Sequence, residues 1–147
     1  MRLQDKVVLV TASTRGIGLA TIQACAKEGA IVYMAARNLD LAQQRAEELN
    51  QKGYRVHTVY NDATKLDSYR TMIEEVIKLE GRIDVLVNNF GTSNPQTDLD
   101  IKHTKWEDFQ SRSISTWPVS MSAAKLSFRI WKSKAAAALS TSARSAA

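Results

Sequence analysis

Short apolar runs alternating with segments of helical period most constrain what this chain can become. Val7 to Val10, Ile31 to Ala35, Tyr54 to Tyr60 and Ile83 to Val87 each have the length and residue types of a strand. Between them, Ile17 to Glu28, Leu39 to Lys52 and Leu66 to Glu80 repeat their apolar residues at helical spacing, and Gly29, Gly53 and Gly81 follow as stop signals. The order is β-α-β-α-β-α-β. Strands this apolar need cover on both faces, and right-handed crossovers then place helices on each side of one parallel sheet. The predicted class is α/β: the N-terminal part of a doubly wound parallel sheet, incomplete after its fourth strand.

The first strand runs into Thr11-Ala12-Ser13-Thr14-Arg15-Gly16-Ile17-Gly18, which opens the first helix. A glycine-bearing turn at that position lets the backbone approach a pyrophosphate, and the amides at the helix start supply donors and partial positive charge. The turn therefore predicts a dinucleotide phosphate site.

Composition narrows the rest. A chain of 147 residues is one domain by length, and no apolar run approaches a membrane span. Met1-Arg2-Leu3-Gln4-Asp5-Lys6 has no apolar signal region, so a cytoplasmic location with no membrane partner is expected. Cys25 stands alone in a helical segment and reads as a packed thiol. His57 and His103 have no ligand partners at metal spacing, so no metal is expected. Trp106, Glu107 and Asp108 fit the start of an exposed helix.

The net charge of +5 is unevenly distributed. Residues 1–111 carry 14 Lys or Arg against 15 Asp or Glu, whereas residues 112–147 carry six basic residues, no acid and 18 Ser or Ala. The expected division is a partial dinucleotide-binding domain over 1–111 and a basic Ser/Ala-rich tail over 112–147. The tail lacks patterned aromatics, so nucleic acid is not expected as a partner.

Three features together resemble the short-chain dehydrogenases and reductases, over roughly Gln4 to Gln110. Thr11 to Gly18 is similar to the family's Thr-Gly-x-x-x-Gly-x-Gly turn, with Ala12 where the first glycine is usual. Asp62-Ala63 follows the third strand, and Asn88-Asn89-Phe90-Gly91 follows the fourth, where the family has Asn-Asn-Ala-Gly. Within the family these segments resemble bacterial 7α-hydroxysteroid dehydrogenases of bile-acid metabolism. The resemblance implies a Rossmann sheet, hydride transfer between a nicotinamide cofactor and a secondary alcohol or ketone, a bile acid or other steroid substrate, and a homo-oligomer.

The same resemblance assigns cofactor contacts to Thr11, Ser13, Thr14, Arg15, Gly16, Ile17, Gly18, Arg37, Asp62, Ala63, Asn89 and Gly91. Asn88 is implied as a tie between central strands that supports the cofactor. Asp62 and Ala63 would meet adenine; Asp62 is also an ordinary strand-end turn residue. NAD-preferring members carry an acid at the end of the second strand, but Ala35-Ala36-Arg37 has none. Arg15 and Arg37 offer guanidinium forks suited to a 2′-phosphate, which predicts NADP(H) in preference to NAD. The competing reading makes both arginines solvated surface residues.

Catalysis in the family resembles proton relay through a Tyr-x-x-x-Lys pair with a serine. Tyr33, Tyr54, Tyr60 and Tyr69 are followed four residues later by Arg37, Thr58, Thr64 and Ile73, so no catalytic residue is assigned. Residues 112–147 suggest a cause at the level of the genetic code. If one base is lost after the codon for Ser111, the shifted frame of Arg112 to Trp117 permits Val-Asp-Ile-Asn-Leu, and 134–147 permits a family-like strand and serine segment. Ala135 to Ala138 restrict that frame to codons ending in GC. The expectation is an inactive, truncated dehydrogenase with an out-of-frame tail; the alternative is a noncatalytic nucleotide-binding or regulatory module.

Overall fold

A computed structural model describes residues 1–91 and 105–107. Its elements are β1 (Val7–Thr11), α1 (Gly16–Lys27), β2 (Ile31–Ala36), α2 (Leu39–Asn50), β3 (Arg55–Tyr60), α3 (Leu66–Glu80) and β4 (Val85–Val87). The strands form one parallel sheet in the order β3-β2-β1-β4. The expected boundary at residues 111 and 112, the tail and His103 lie outside the described residues. Trp106 and Glu107 are helical and exposed.

Period-two alternation along β1 sorts its side chains onto two faces. Val8 and Val10 pack with Ile22, Ala26, Ala46 and Leu49 beneath α1 and α2, whereas Val7 and Leu9 pack with Tyr69, Met72, Ile73 and Val76 of α3. Residues 69, 72, 73 and 76 are one helical stripe, which is why α3 lies flat on its face. All five residues of β1 are buried. The sheet is covered on both sides, as its apolar strands require.

Two element ends differ from the periodic reading for identifiable reasons. The fourth strand starts at Val85 and not at Ile83, because the Asp84 carboxylate accepts from the Val7 amide at 2.8 Å while the Asp84 amide donates to the Val7 carbonyl at 2.9 Å. A side chain replaces a ladder rung there. The second helix ends at Asn50 and not at Lys52: the Asn50 amide donates to the Val56 carbonyl at 2.9 Å and its oxygen accepts from the Val56 amide at 2.8 Å. That pair satisfies backbone groups on the outer side of β3.

Direction of travel matters most for function. From β1 the chain moves outward through β2 and β3, then returns to β4 on the other side of β1. β1 therefore lies where the strand order reverses, the switch point at whose C-terminal end open α/β sheets bind ligands.

Candidate functional site

The residues singled out by sequence converge on that C-terminal edge. Residues 12–15 lead from β1 into α1, Arg37 follows β2, Asp62 and Ala63 follow β3, and residues 88–91 follow β4.

α1 begins without the usual stabilisers of a helix start. Arg15 is its N-cap, in an extended conformation with no side-chain cap bond, and the first turn holds no acid. The first intrahelical backbone bond runs from the Leu19 amide to the Arg15 carbonyl at 3.3 Å, so the amides of Gly16, Ile17 and Gly18 precede it. Arg15, Gly16 and Ile17 are exposed there. Such an end is a set of donors with partial positive charge and no internal anion.

Ser13 holds the turn from below. It is fully buried, and its Oγ donates to the Val10 carbonyl at 2.9 Å, with the Ala35 carbonyl at 3.5 Å. Its hydroxyl thus serves the sheet, which leaves its backbone for any phosphate. Thr14 is half-buried beside it. Thr11 is also buried; its Oγ1 accepts from the Asn89 amide at 3.0 Å and donates to the Val87 carbonyl at 3.4 Å.

Gly16 has φ +56° and open space where a Cβ would stand, so backbone conformation selects it. Close approach selects Gly18 instead: a Cβ there would lie 2.6 Å from Asn89 Nδ2 and 2.7 Å from both the Ala12 carbonyl oxygen and Ser13 Cα. Ala12, standing where the family usually has glycine, is left-handed at φ 50°. For an L-residue that conformation costs about 1–2 kcal/mol.

The resemblance implied Asn88 as a tie between central strands; Asn89 makes a side-chain link from the end of β4 to the first loop. Its Nδ2 donates to the Ala12 carbonyl at 3.0 Å. Alternation places Asn89 there: Val87 packs toward the α1 face, and Asn89, two residues on, continues toward that face. Asn88 is exposed at the end of β4; Phe90 is half-buried and Gly91 exposed.

Around Asp62 the sequence missed a network. Asp62 is 7% exposed, and its Oδ1 accepts from the Thr64 hydroxyl at 2.8 Å and the Thr64 amide at 3.0 Å. These bonds, helped by the charges of Lys65 and Arg37, hold its carboxyl below the usual range despite burial. Beneath it, Ser68 Oγ accepts from the Asp62 amide at 3.1 Å and Asn61 Nδ2 at 3.2 Å, and faces the Asp62 and Lys65 carbonyls at 2.7 and 2.8 Å. The spacing of Asp62, Thr64 and Ser68 was the available signal, an Asx turn leading into a helix. Tyr69 lies buried nearby with no hydrogen-bond partner for its hydroxyl among the described residues, and burial and the Asp62 charge push its pKa up to about 12.

Other candidates stay structural. His57 is exposed on β3 and stacks on Tyr33 with ring centroids 5.1 Å apart. Burial raises the Cys25 thiol pKa, in keeping with a packed side chain. No group of three metal-ligating residues occurs among the described residues, and none of their helices is long and apolar enough to cross a membrane. A cleft of about 470 Å³ lined by Lys27, Lys52 and Arg55 lies at the opposite edge of the sheet, before β2 and β3.

Comparison with known proteins agrees with this geometry. A profile of the short chain dehydrogenase family matches residues 6–139. The 7α-hydroxysteroid dehydrogenase of Paraclostridium sordellii is 48% identical over 100 residues, covering 68% of this chain and 38% of the relative. That of Clostridium sardiniense is 44% identical over 108 residues, covering 74% and 41%. The chain thus spans about two-fifths of the length of these curated relatives. The crystal structure of L-sorbose reductase from Gluconobacter frateurii, complexed with NADPH and L-sorbose, superposes with a TM-score of 0.75 at 29% identity, over 91% of this chain and 51% of that one. Its profile match, its sheet order and the turn at the sheet's switch point agree: the chain belongs to the short-chain dehydrogenase family.

Proposed function

We propose that this chain is the NADP(H)-binding portion of an oxidoreductase of the 7α-hydroxysteroid dehydrogenase type, which exchanges hydride between the nicotinamide and a secondary alcohol or ketone of a steroid such as a bile acid. The observation that carries the proposal is the uncapped, acid-free start of α1 at the sheet's switch point. The residues present suit a dinucleotide. Amides from Ser13 to Gly18 would meet the pyrophosphate, Asp62 and Ala63 the adenine, and the segment from Asn89 to Gly91 the nicotinamide side.

Selectivity for the phosphorylated cofactor rests on Arg15 and Arg37. Both are exposed, one at the cap of α1 and one directly after β2, where no carboxylate competes for a ribose. Each charge-assisted hydrogen bond to a 2′-phosphate contributes about 1.5–3 kcal/mol, a preference of about tenfold to a hundredfold. The activity of the similar proteins from Paraclostridium sordellii and Clostridium sardiniense, 7α-hydroxysteroid dehydrogenase, supports the substrate class.

These 147 residues contain no Tyr-x-x-x-Lys pair. Alone they are proposed to bind cofactor without turnover, residues 112–147 being an out-of-frame tail. Calorimetric titration with NADPH and NADH, alongside an assay of 7α-hydroxy bile acid oxidation, tests this. Tighter binding of NADPH without oxidation is the expected result. Equal affinities would remove the selectivity argument, turnover would remove the inactive reading, and absence of binding to either cofactor would remove the site itself. An intact codon context around Arg112 would contradict the frame-shifted tail.

A further inference from the structure

Ala12 is where the turn departs from the family pattern, and a left-handed alanine needs support that glycine does not. Asn89 supplies it. Its Nδ2 donates to the Ala12 carbonyl at 3.0 Å, and its own backbone is fixed by the 3.0 Å bond from its amide to Thr11 Oγ1. The same Nδ2 lies over Gly18, 2.6 Å from the position a Cβ would take. One amide group therefore touches both the left-handed residue that begins the turn and the helical residue that ends it.

We propose that Asn89 is a positioning residue for the dinucleotide, acting through Ala12: by gripping the Ala12 carbonyl it keeps this residue left-handed and the amides of 14–18 aimed at the pyrophosphate. The proposal rests on the dinucleotide reading above. When the grip is lost, rotation of Ala12 to negative φ re-aims its carbonyl and the following amide. The buried Ser13 hydroxyl, anchored on β1, confines that change to the turn itself. With glycine at position 12 the left-handed form needs no grip, so dependence on Asn89 is a consequence of the alanine.

The test is a double-substitution cycle on the 147-residue chain, with NADPH titrated against the parent, Asn89→Ala, Ala12→Gly and the pair together. Asn89→Ala is expected to weaken NADPH binding about tenfold with Ala12 present, and about twofold when Ala12→Gly accompanies it. Equal losses in the two backgrounds, or none in either, would overturn the proposal. Hydrogen exchange of the Leu19 amide, which the turn holds on the Arg15 carbonyl at 3.3 Å, provides a readout in ligand-free protein that needs no cofactor. It is expected to quicken about tenfold in Asn89→Ala and to return near the parent rate in the pair. An unchanged rate in Asn89→Ala, or equal quickening in both, would also overturn it. If the parent binds neither NADPH nor NADH, the dinucleotide reading fails while exchange still judges the grip. Should Asn89→Ala not fold, Asn89→Leu keeps the approximate size, removes the donor without adding charge, and is expected to show the same pattern.

Discussion

The starts of α1 and α2 make an instructive pair. α2 is closed by its own sequence: Asn38 Oδ1 accepts from the Leu41 amide at 3.0 Å, and Asp40 adds a negative charge in the first turn. α1 has an arginine at the same position, no side-chain cap and no first-turn acid. Both helices follow a strand of the same sheet and pack on the same face. What differs is location, since α1 starts at the switch point beside β4 and α2 does not. A helix whose donors are satisfied internally contributes stability, while one left open contributes a place for an anion.

Filling the open end should have the largest effect. Gly18→Ala would press a methyl group against Asn89, the Ala12 carbonyl and Ser13 at separations below 3 Å. A stability loss of about 1–3 kcal/mol is expected in denaturant unfolding, with NADPH binding lost beyond about a hundredfold. Binding within threefold of the parent would show that the turn has room it is not supposed to have.

Removing the second arginine comes next. Arg37→Ala should lower NADPH affinity by about tenfold to a hundredfold and leave NADH affinity unchanged, read by titration of both cofactors. A matching loss for NADH would mean that Arg37 acts on something common to both.

Exchanging the caps would invert the comparison. Arg15→Asp, which closes α1 as Asn38 closes α2, should raise stability by about 0.5–1 kcal/mol while reducing NADPH binding at least tenfold. Asn38→Ala should cost about 1 kcal/mol and leave binding untouched. Parallel changes in stability and affinity for both variants would dissolve the distinction between the two helix starts.

The smallest effect is on acid stability. Asp62 has its folded carboxyl pKa lowered, chiefly by the Thr64 hydroxyl and amide. Its contribution is therefore complete above the unfolded carboxylate value of about 3.9 and is lost as pH falls below that toward the lower folded value. Asp62→Asn should flatten this part of the stability profile below about pH 4, measured by denaturant midpoints across pH. An unchanged acid slope would mean that the Asp62 carboxyl titrates alike in the folded and unfolded chain and that the Thr64 bonds do not lower it.

Much of this was legible because periodicity and punctuation agreed. Val7 to Val10, the helical stripe at 69, 72, 73 and 76, and the glycines after each helix all pointed to one architecture, and the described residues show it. The misplaced details depended on single side chains acting at a distance in sequence. Asp84 replaces a ladder rung beside Val7, Asn50 bonds β3, and Asn89 reaches the first loop. Ser68 drew no notice because a serine early in a helix is common, and its role emerges only once Asn61, Asp62 and Lys65 surround it. Ala12 was seen as a departure from a pattern, but its left-handed backbone is a property of the folded turn.

The most direct measurement is an amide-resolved NMR titration of the 147-residue chain with NADPH. Saturable shifts concentrated on the amides of Thr14 to Gly18, with smaller ones at Leu39 to Leu41 beside Arg37, are the predicted result. Saturable shifts absent from Thr14 to Gly18, or equally large at both helix starts, would contradict the assignment of the open end of α1 as the cofactor site.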